Sequence, residues 1–167
     1  VMTLTQALGA FQRTIRSGGS PFDRYTSGQE QAISQAARRG MDLFEGKAGC
    51  ASCHSGFLFT DQSYQNNGLS FVAPDSGRAR ITLDANDFAK FRVPTLRNVG
   101  SSFPFMHDGR FSSLDQVIDH YDRGGENSRG QSDLIHSLNL THSEKADLKA
   151  FLLSLNDDVI LTGLPDA

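Results

Sequence analysis

One run of residues constrains this chain more than any other: Gly49-Cys50-Ala51-Ser52-Cys53-His54, which holds both cysteines of a 167-residue sequence. C-x-x-C-H is the attachment sequence of haem c, in which two thiols add to the vinyl groups and the histidine ligates the iron. The vinyls sit on adjacent pyrrole edges, so the thiols must arrive on one short loop, and the next residue then lies beneath the iron. A zinc site would need further ligands, and with no third cysteine these would be scattered His, Asp or Glu. A thioredoxin-like pair would follow a strand and open a helix, whereas the residues before Cys50 read as a helix ending at Gly46 or Gly49. The pattern therefore predicts one covalent haem c on Cys50 and Cys53, with His54 as an iron ligand.

Composition narrows the rest. A chain with 38% hydrophobic and 21% charged residues suits one compact domain. At this size about 70% of the unfolded surface can be buried, so no disulfide is needed and the cysteines are left for other chemistry. Sixteen Lys and Arg against nineteen Asp and Glu leave a formal net charge of −3, which argues against a nucleic-acid partner. No apolar run approaches the roughly 20 residues of a membrane helix, so no membrane span is expected.

Helical periodicity dominates. Leu4, Ala7, Leu8, Phe11 and Ile15 predict a first helix over residues 3–17, ended by Gly18-Gly19 and Pro21. A second helix is predicted from about Ser27, with Ile33, Ala36, Ala37, Gly40, Leu43 and Phe44 on one stripe leading to the cysteine loop. From Ser55 to Ser101 no period is sustained, and Gly, Asn, Asp, Ser and Pro are frequent. Such a long loop calls for a function, and a bound cofactor would order it. Its Phe57, Phe59, Tyr64, Phe71, Phe88 and Phe91 suit either a haem edge or an ordinary core. Ser112 with Asp115 reads as the start of a third helix carrying Leu114, Val117, Ile118 and Tyr121, stopped by Gly124-Gly125. Thr141 and Glu144 form a capping box for a last helix through Leu148, Phe151, Leu152 and Leu155. The expected fold is all-α, a cytochrome c-like helical domain with long haem-wrapping loops. Residues 1–26 read as a linking helix and connection, 27–155 as the haem c domain, and 156–167 as a polar C-terminal extension.

The ordered motifs also carry a family resemblance. Ser20-Pro21-Phe22-Asp23-Arg24-Tyr25, the Gly40 to Phe44 segment before the haem motif, Phe59-Thr60-Asp61, Asn67-Gly68-Leu69 and Phe91 through Val99 resemble the bacterial di-haem cytochrome c peroxidases and their MauG-type relatives. Pro104 through Phe111, Tyr121-Asp122-Arg123-Gly124-Gly125 and Leu140 through Leu152 extend the likeness over nearly the whole chain. The resemblance is to the C-terminal half. The N-terminal half of such proteins, with its own C-x-x-C-H and the haem that meets peroxide, has no counterpart here, so the chain is expected to be one piece of a longer protein.

The second axial ligand is open from spacing alone, with Met106, His107, His120, Tyr121, His136 and His142 all downstream of the motif. Met with His is the usual pair of electron-carrying cytochromes, which favours Met106. The resemblance favours Tyr121 instead, since the MauG-type enzymes hold a ligand tyrosine within a similar Tyr-Asp-Arg-Gly-Gly run. A thioether is soft and favours Fe(II), whereas a phenolate is hard and anionic and favours the higher oxidation states. Arg78, Arg80, Arg92 and Arg97 lie in loops that would wrap the haem, and Arg78 and Arg97 are taken as propionate partners. His107 could donate to a propionate or to a water between haem domains. The resemblance further implies a calcium ion at the boundary with the missing domain, held partly by backbone carbonyls near Ser102 to Pro104.

Two functions follow as expectations. One is a redox module that relays or stores oxidising equivalents in a hydrogen-peroxide-dependent di-haem peroxidase or MauG-type oxidoreductase. Its partners would be the N-terminal haem c domain, in the same or a nicked chain, and a cytochrome, cupredoxin or protein substrate. The alternative is a stand-alone mono-haem electron carrier. Because bacterial haem c is attached outside the cytoplasm, the expected location is the periplasm.

Overall fold

The computed structural model describes residues 3–15 and 17–157. Six helices carry it: α1 (Leu4–Gln12), α2 (Pro21–Thr26), α3 (Gln35–Glu45), α4 (Ala79–Thr82), α5 (Leu114–Arg123) and α6 (His142–Leu153). Between α3 and α5 lies mostly loop, crossed by one antiparallel pair, β1 (Tyr64–Gln65) and β2 (Phe91–Arg92), with Tyr64 opposite Arg92. The protein is thus helical with a little strand. Two residues on each side of a ladder are too few to show alternation in the sequence, which is why the pair escapes an all-α reading.

Local chemistry explains where the helices begin, and corrects three expectations. Pro21 opens α2 instead of merely ending what precedes it: Ser20 is the cap, its Oγ taking the Asp23 N–H while the Asp23 carboxylate takes the Ser20 N–H. The helix expected from Ser27 starts only at α3, because Ile33 is extended and Ser34 is the residue whose hydroxyl accepts from Ala37. Helix α5 is capped by Ser113, not Ser112, since Gln116 stands three residues on and returns the bond to the Ser113 N–H. The Thr141–Glu144 box at α6 is present as expected. Helix α1 ends at Gln12 with no buried residue, shorter than its apolar spacing suggests. Of the polar extension from Asn156, residues 158–167 lie outside the described residues.

Helices α3 and α6 cross at Gly40. A Cβ there would sit 2.0 Å from the Asp147 carbonyl oxygen and 2.9 Å from the Phe151 Cβ, so only glycine allows the crossing. Gly40→Ala is expected to destabilise the fold by about 3 kcal/mol through overpacking. Denaturant unfolding measures this, and an unchanged midpoint would contradict the close crossing. Around the same point Phe22, Phe44, Phe59 and Phe151 form an aromatic cluster with ring centroids 5.1–6.1 Å apart, mostly edge to face. Leu114, Ile118, Leu140, Leu148 and Leu155 complete the core, and Cys50 and Ala51 pack against it.

The α6 cap also sets an acid limb. Lys47 Nζ lies 2.8 Å from Glu144, and with the Thr141 bonds it lowers the carboxyl from 4.5 to about 2. A depressed carboxyl contributes stability above its unfolded value, and that contribution is lost as pH falls through the folded one. Glu144→Gln should therefore melt below the wild type at neutral pH, with the difference closing between pH 4.5 and about 2. A gap that stays constant across that window would rule the cap out as its source.

Candidate functional site

The cysteine loop is shaped before any ligand arrives. Helix α3 stops at Gly46, and Gly49 takes a left-handed φ of 62°, which turns the chain into a single 3₁₀ turn at Cys50–Ser52. The His54 N–H closes the turn on the Cys50 carbonyl at 2.9 Å, and the Asp61 N–H binds the Cys53 carbonyl at 2.8 Å. Both thiols are free and partly buried. Burial pushes the Cys50 thiol up to about 12 and raises Cys53, so both are protonated at neutral pH.

His54 is prepared as a ligand. Its Nδ1 lies 3.0 Å from the Phe59 carbonyl oxygen, which can only accept, so the proton is on Nδ1 and the lone pair on Nε2. Burial lowers the imidazole's affinity for a second proton, against the pull of the Phe59 carbonyl, of Asp61 and of the Pro94 carbonyl. Phe59 sits in the aromatic core, and its carbonyl thus ties the histidine to the buried core.

Tyr121 lies on α5, within electrostatic reach of both thiols, and burial raises its phenol while a hydrogen bond from Asn67 opposes the rise. Asn67 Nδ2 donates to Tyr121 Oη at 3.3 Å and to Met106 Sδ at 3.5 Å, so the two leading candidates for the second axial position share one donor. The other candidates separate. His120 is 1% exposed and uses Nε2 on the Asn67 carbonyl at 2.9 Å, while His136 and His142 are exposed. His107 stacks flat on Phe91 at 3.6 Å.

The arginines expected at haem propionates have protein partners. Arg97 is buried, with Nη1 2.7 Å from Asp23, Nε 2.8 Å from the Phe57 carbonyl oxygen, and its guanidinium over the rings of Phe57 and Phe59. It braces α2 against the loop that holds His54. Burial raises the Asp23 carboxyl, but Arg97 and Ser20 more than reverse this and leave it lowered. Arg78 pairs with Asp87 at 2.8 Å and lies 4.1 Å above the Tyr64 ring; Arg80 and Arg92 are exposed. Of the loop aromatics only Phe59 is buried; Phe57, Tyr64, Phe71 and Phe88 are exposed and Phe91 is half-buried. Among the described residues no cluster of three or more His, Cys, Asp or Glu gathers, so a calcium ion near Ser102 to Pro104 would depend on backbone carbonyls.

Two free thiols on one turn, a histidine whose Nδ1 is held by the Phe59 carbonyl and a half-buried phenol near them fit haem c. Asn67 is the residue that sequence reasoning passed over, because an asparagine before a glycine reads as a turn.

Known proteins agree with this chemistry. No family profile matches the chain. A methylamine utilization protein MauG of Methylorubrum extorquens is 42% identical over 165 residues, covering 97% of this chain and 46% of that protein. A cytochrome-c peroxidase of a Pseudomonas species, IdrP1, is 37% identical over 90% of this chain and 48% of its own length. The crystal structure of a MauG-like protein associated with microbial copper homeostasis superposes with a TM-score of 0.86 at 36% identity, covering 95% of this chain and 58% of that one. The di-haem peroxidase BthA of Burkholderia thailandensis shares the fold, with a TM-score of 0.67 at 23% identity. The chain spans about half the length of the curated relatives it matches. Over nearly its whole length the chain is thus similar to about half of the MauG proteins and di-haem cytochrome c peroxidases.

Proposed function

We propose that this chain is the C-terminal haem c domain of a hydrogen-peroxide-dependent di-haem oxidoreductase of the MauG type, in which it relays or stores oxidising equivalents. The observation that carries the reading is the pairing of the Cys50–His54 turn with the half-buried phenol of Tyr121. Bound haem supplies one-electron chemistry at its iron. Cys50 and Cys53 would tether one haem through thioethers, His54 would hold its iron through Nε2, and Tyr121 would supply an oxygen as the second axial donor, so that peroxide would have no open position in this half.

The other half of the protein is the proposed partner and the place where peroxide reacts. The doubled length of the relatives favours this over a stand-alone carrier. A cytochrome, a cupredoxin or a protein substrate then exchanges electrons with the pair. Calcium between the halves and a periplasmic location complete the proposal. Among the described residues no helix is long and apolar enough to cross a membrane.

The test is peroxide turnover by the haem-loaded 167-residue chain beside its two-haem parent. Peroxide cleavage wants an acid–base group at an open iron, which contributes about 10²–10⁴-fold. The chain alone should be slower by about 10²-fold or more, and a comparable rate would overturn the assignment of roles.

A further inference from the structure

Asn67 stands where the two candidate iron donors meet, with its side-chain nitrogen 3.3 Å from the Tyr121 phenol and 3.5 Å from the Met106 sulfur. Resting on the reading of Tyr121 as the second axial ligand, we infer that Asn67 is a positioning residue that selects the phenolate over the Met106 thioether. The domain carries both donors in ordered positions, and one carboxamide decides between them.

The selection follows from acceptor strength. A hydrogen bond to an ionised oxygen is about twice as strong as a neutral one, whereas a thioether sulfur is a weak acceptor. The same N–H group therefore stabilises an iron-bound phenolate strongly. It does little for a bound thioether, whose lone pair must turn to the metal and leave the amide. While Tyr121 holds the iron, the amide also keeps the Met106 sulfur at a defined place.

The donor does not depend on either acceptor for its position. His120 Nε2 donates to the Asn67 carbonyl at 2.9 Å. On either side, the Glu126 N–H binds the Gly68 carbonyl at 2.8 Å and the Ser132 N–H binds the Asn66 carbonyl at 2.9 Å. Asn66 Nδ2 reaches the Arg129 carbonyl at 3.2 Å. The turn is thus clamped between the end of α5 and the loop after it, and its amide cannot follow a ligand that moves. His120 is the intermediate piece: adjacent to Tyr121 on α5, it couples the helix that carries the phenol to the backbone of the residue that steadies it.

Met106 is equally constrained. Its φ of 72° is left-handed, unusual for a side chain of this size. The turn is held by the Phe105 N–H on the Phe111 carbonyl at 2.7 Å and the Gly109 N–H on the Met106 carbonyl at 3.3 Å. A thioether delivered by a fixed turn to the donor that also holds the phenol is a second ligand in reserve.

The experiment uses the haem-loaded full chain and reads the reduction potential and the ferric spectrum. Asn67→Leu keeps the side chain's bulk and removes the donor, while the backbone carbonyl that His120 uses remains. It should move the oxidised-to-reduced equilibrium at least tenfold toward the reduced form, about 59 mV for one electron. A thioether-to-iron charge-transfer band should appear with it, and adding Met106→Leu should abolish that band. Asn67→Asp replaces the donor with an acceptor of the same size and should bring in the same thioether band, while Asn67→Gln should restore part of the wild-type spectrum and potential. Wild-type potential and spectrum in folded Asn67→Leu and Asn67→Asp would overturn the inference. If Tyr121→Phe changes the spectrum while the Asn67 variants do not, only the role of Asn67 falls. If Tyr121→Phe itself changes nothing, the ligand reading falls and this inference with it.

Discussion

Replacing Cys50 and Cys53 together with alanine is expected to remove all haem that survives denaturation, so a haem-stained band present for the wild type disappears entirely. The two thioethers are the covalent links that the motif provides, and the sequence holds no third cysteine to replace them. Each single variant should keep a coloured band through the remaining thioether. In the native state the double variant should still bind some haem, because His54 keeps its imidazole and its anchor on the Phe59 carbonyl. Folding should survive, since alanine retains the Cβ, and the Cys50 sulfur, though packed against the core, makes one weak polar contact of 3.7 Å to the Ala48 carbonyl. A coloured denatured band from the double variant, or two titratable thiols in the wild-type protein isolated with its natural cofactor, would refute covalent attachment.

Tyr121→Phe should produce the second large change, at the opposite face. The substitution keeps the ring, which packs 5.3 Å from His120, and deletes only the oxygen. The cost to the fold is the one hydrogen bond from Asn67, about 1 kcal/mol. The iron should feel far more. Loss of an anionic oxygen donor should shift the ferric spectrum from low spin toward high spin and open a position to small ligands, so cyanide affinity should rise by tenfold or more, about 1.4 kcal/mol. The potential should rise as well, because phenolate stabilises the oxidised metal. A rise of roughly 300 mV would equal about 7 kcal/mol for one electron, at about 59 mV per factor of ten. An unchanged spectrum in Tyr121→Phe, with a changed one in Met106→Leu, would transfer the ligand to Met106 and make the chain resemble an ordinary electron carrier.

These two predictions differ in how early their residues become visible. Cys50, Cys53 and His54 are adjacent in the chain, and their chemistry is imposed by the fixed separation of two vinyl groups and an iron, so a local motif suffices. Tyr121 is different. On the apolar stripe of Leu114, Val117 and Ile118 it is indistinguishable from a core tyrosine, and only the family resemblance singled it out. The arginines show another limit of local reading. Arg97 carries a charge in a loop beside the haem motif, yet its partner Asp23 lies 74 residues earlier, and no local pattern announces so distant an ion pair.

Helix starts were legible where a cap and its reciprocal partner are three residues apart, as at Thr141 and Glu144, because capping is a local exchange of hydrogen bonds. They were misplaced where two serines compete, as at Ser112 and Ser113, since the choice between them depends on the path by which the chain enters the helix. The long segment between α3 and α5 was correctly read as loop. Its folding was not readable, because isolated residues such as Asn67 and Asn66 are held by carbonyl and amide groups of the 120–132 region that have no periodic signature.

The sequence by itself determined the haem c motif, the resemblance to MauG proteins and di-haem peroxidases and the helical character, because each rests on spacings of a few residues or on motifs in order. Only the tertiary structure decided what surrounds Tyr121. Asn67, Met106, His120 and Tyr121 come from three separate segments, and they meet because the aromatic core, the Gly40 crossing and the clamped turn fix those segments in space. Hydrogen bonds act over about 3 Å and are indifferent to distance along the chain, so a constellation made of them appears only once the chain is folded.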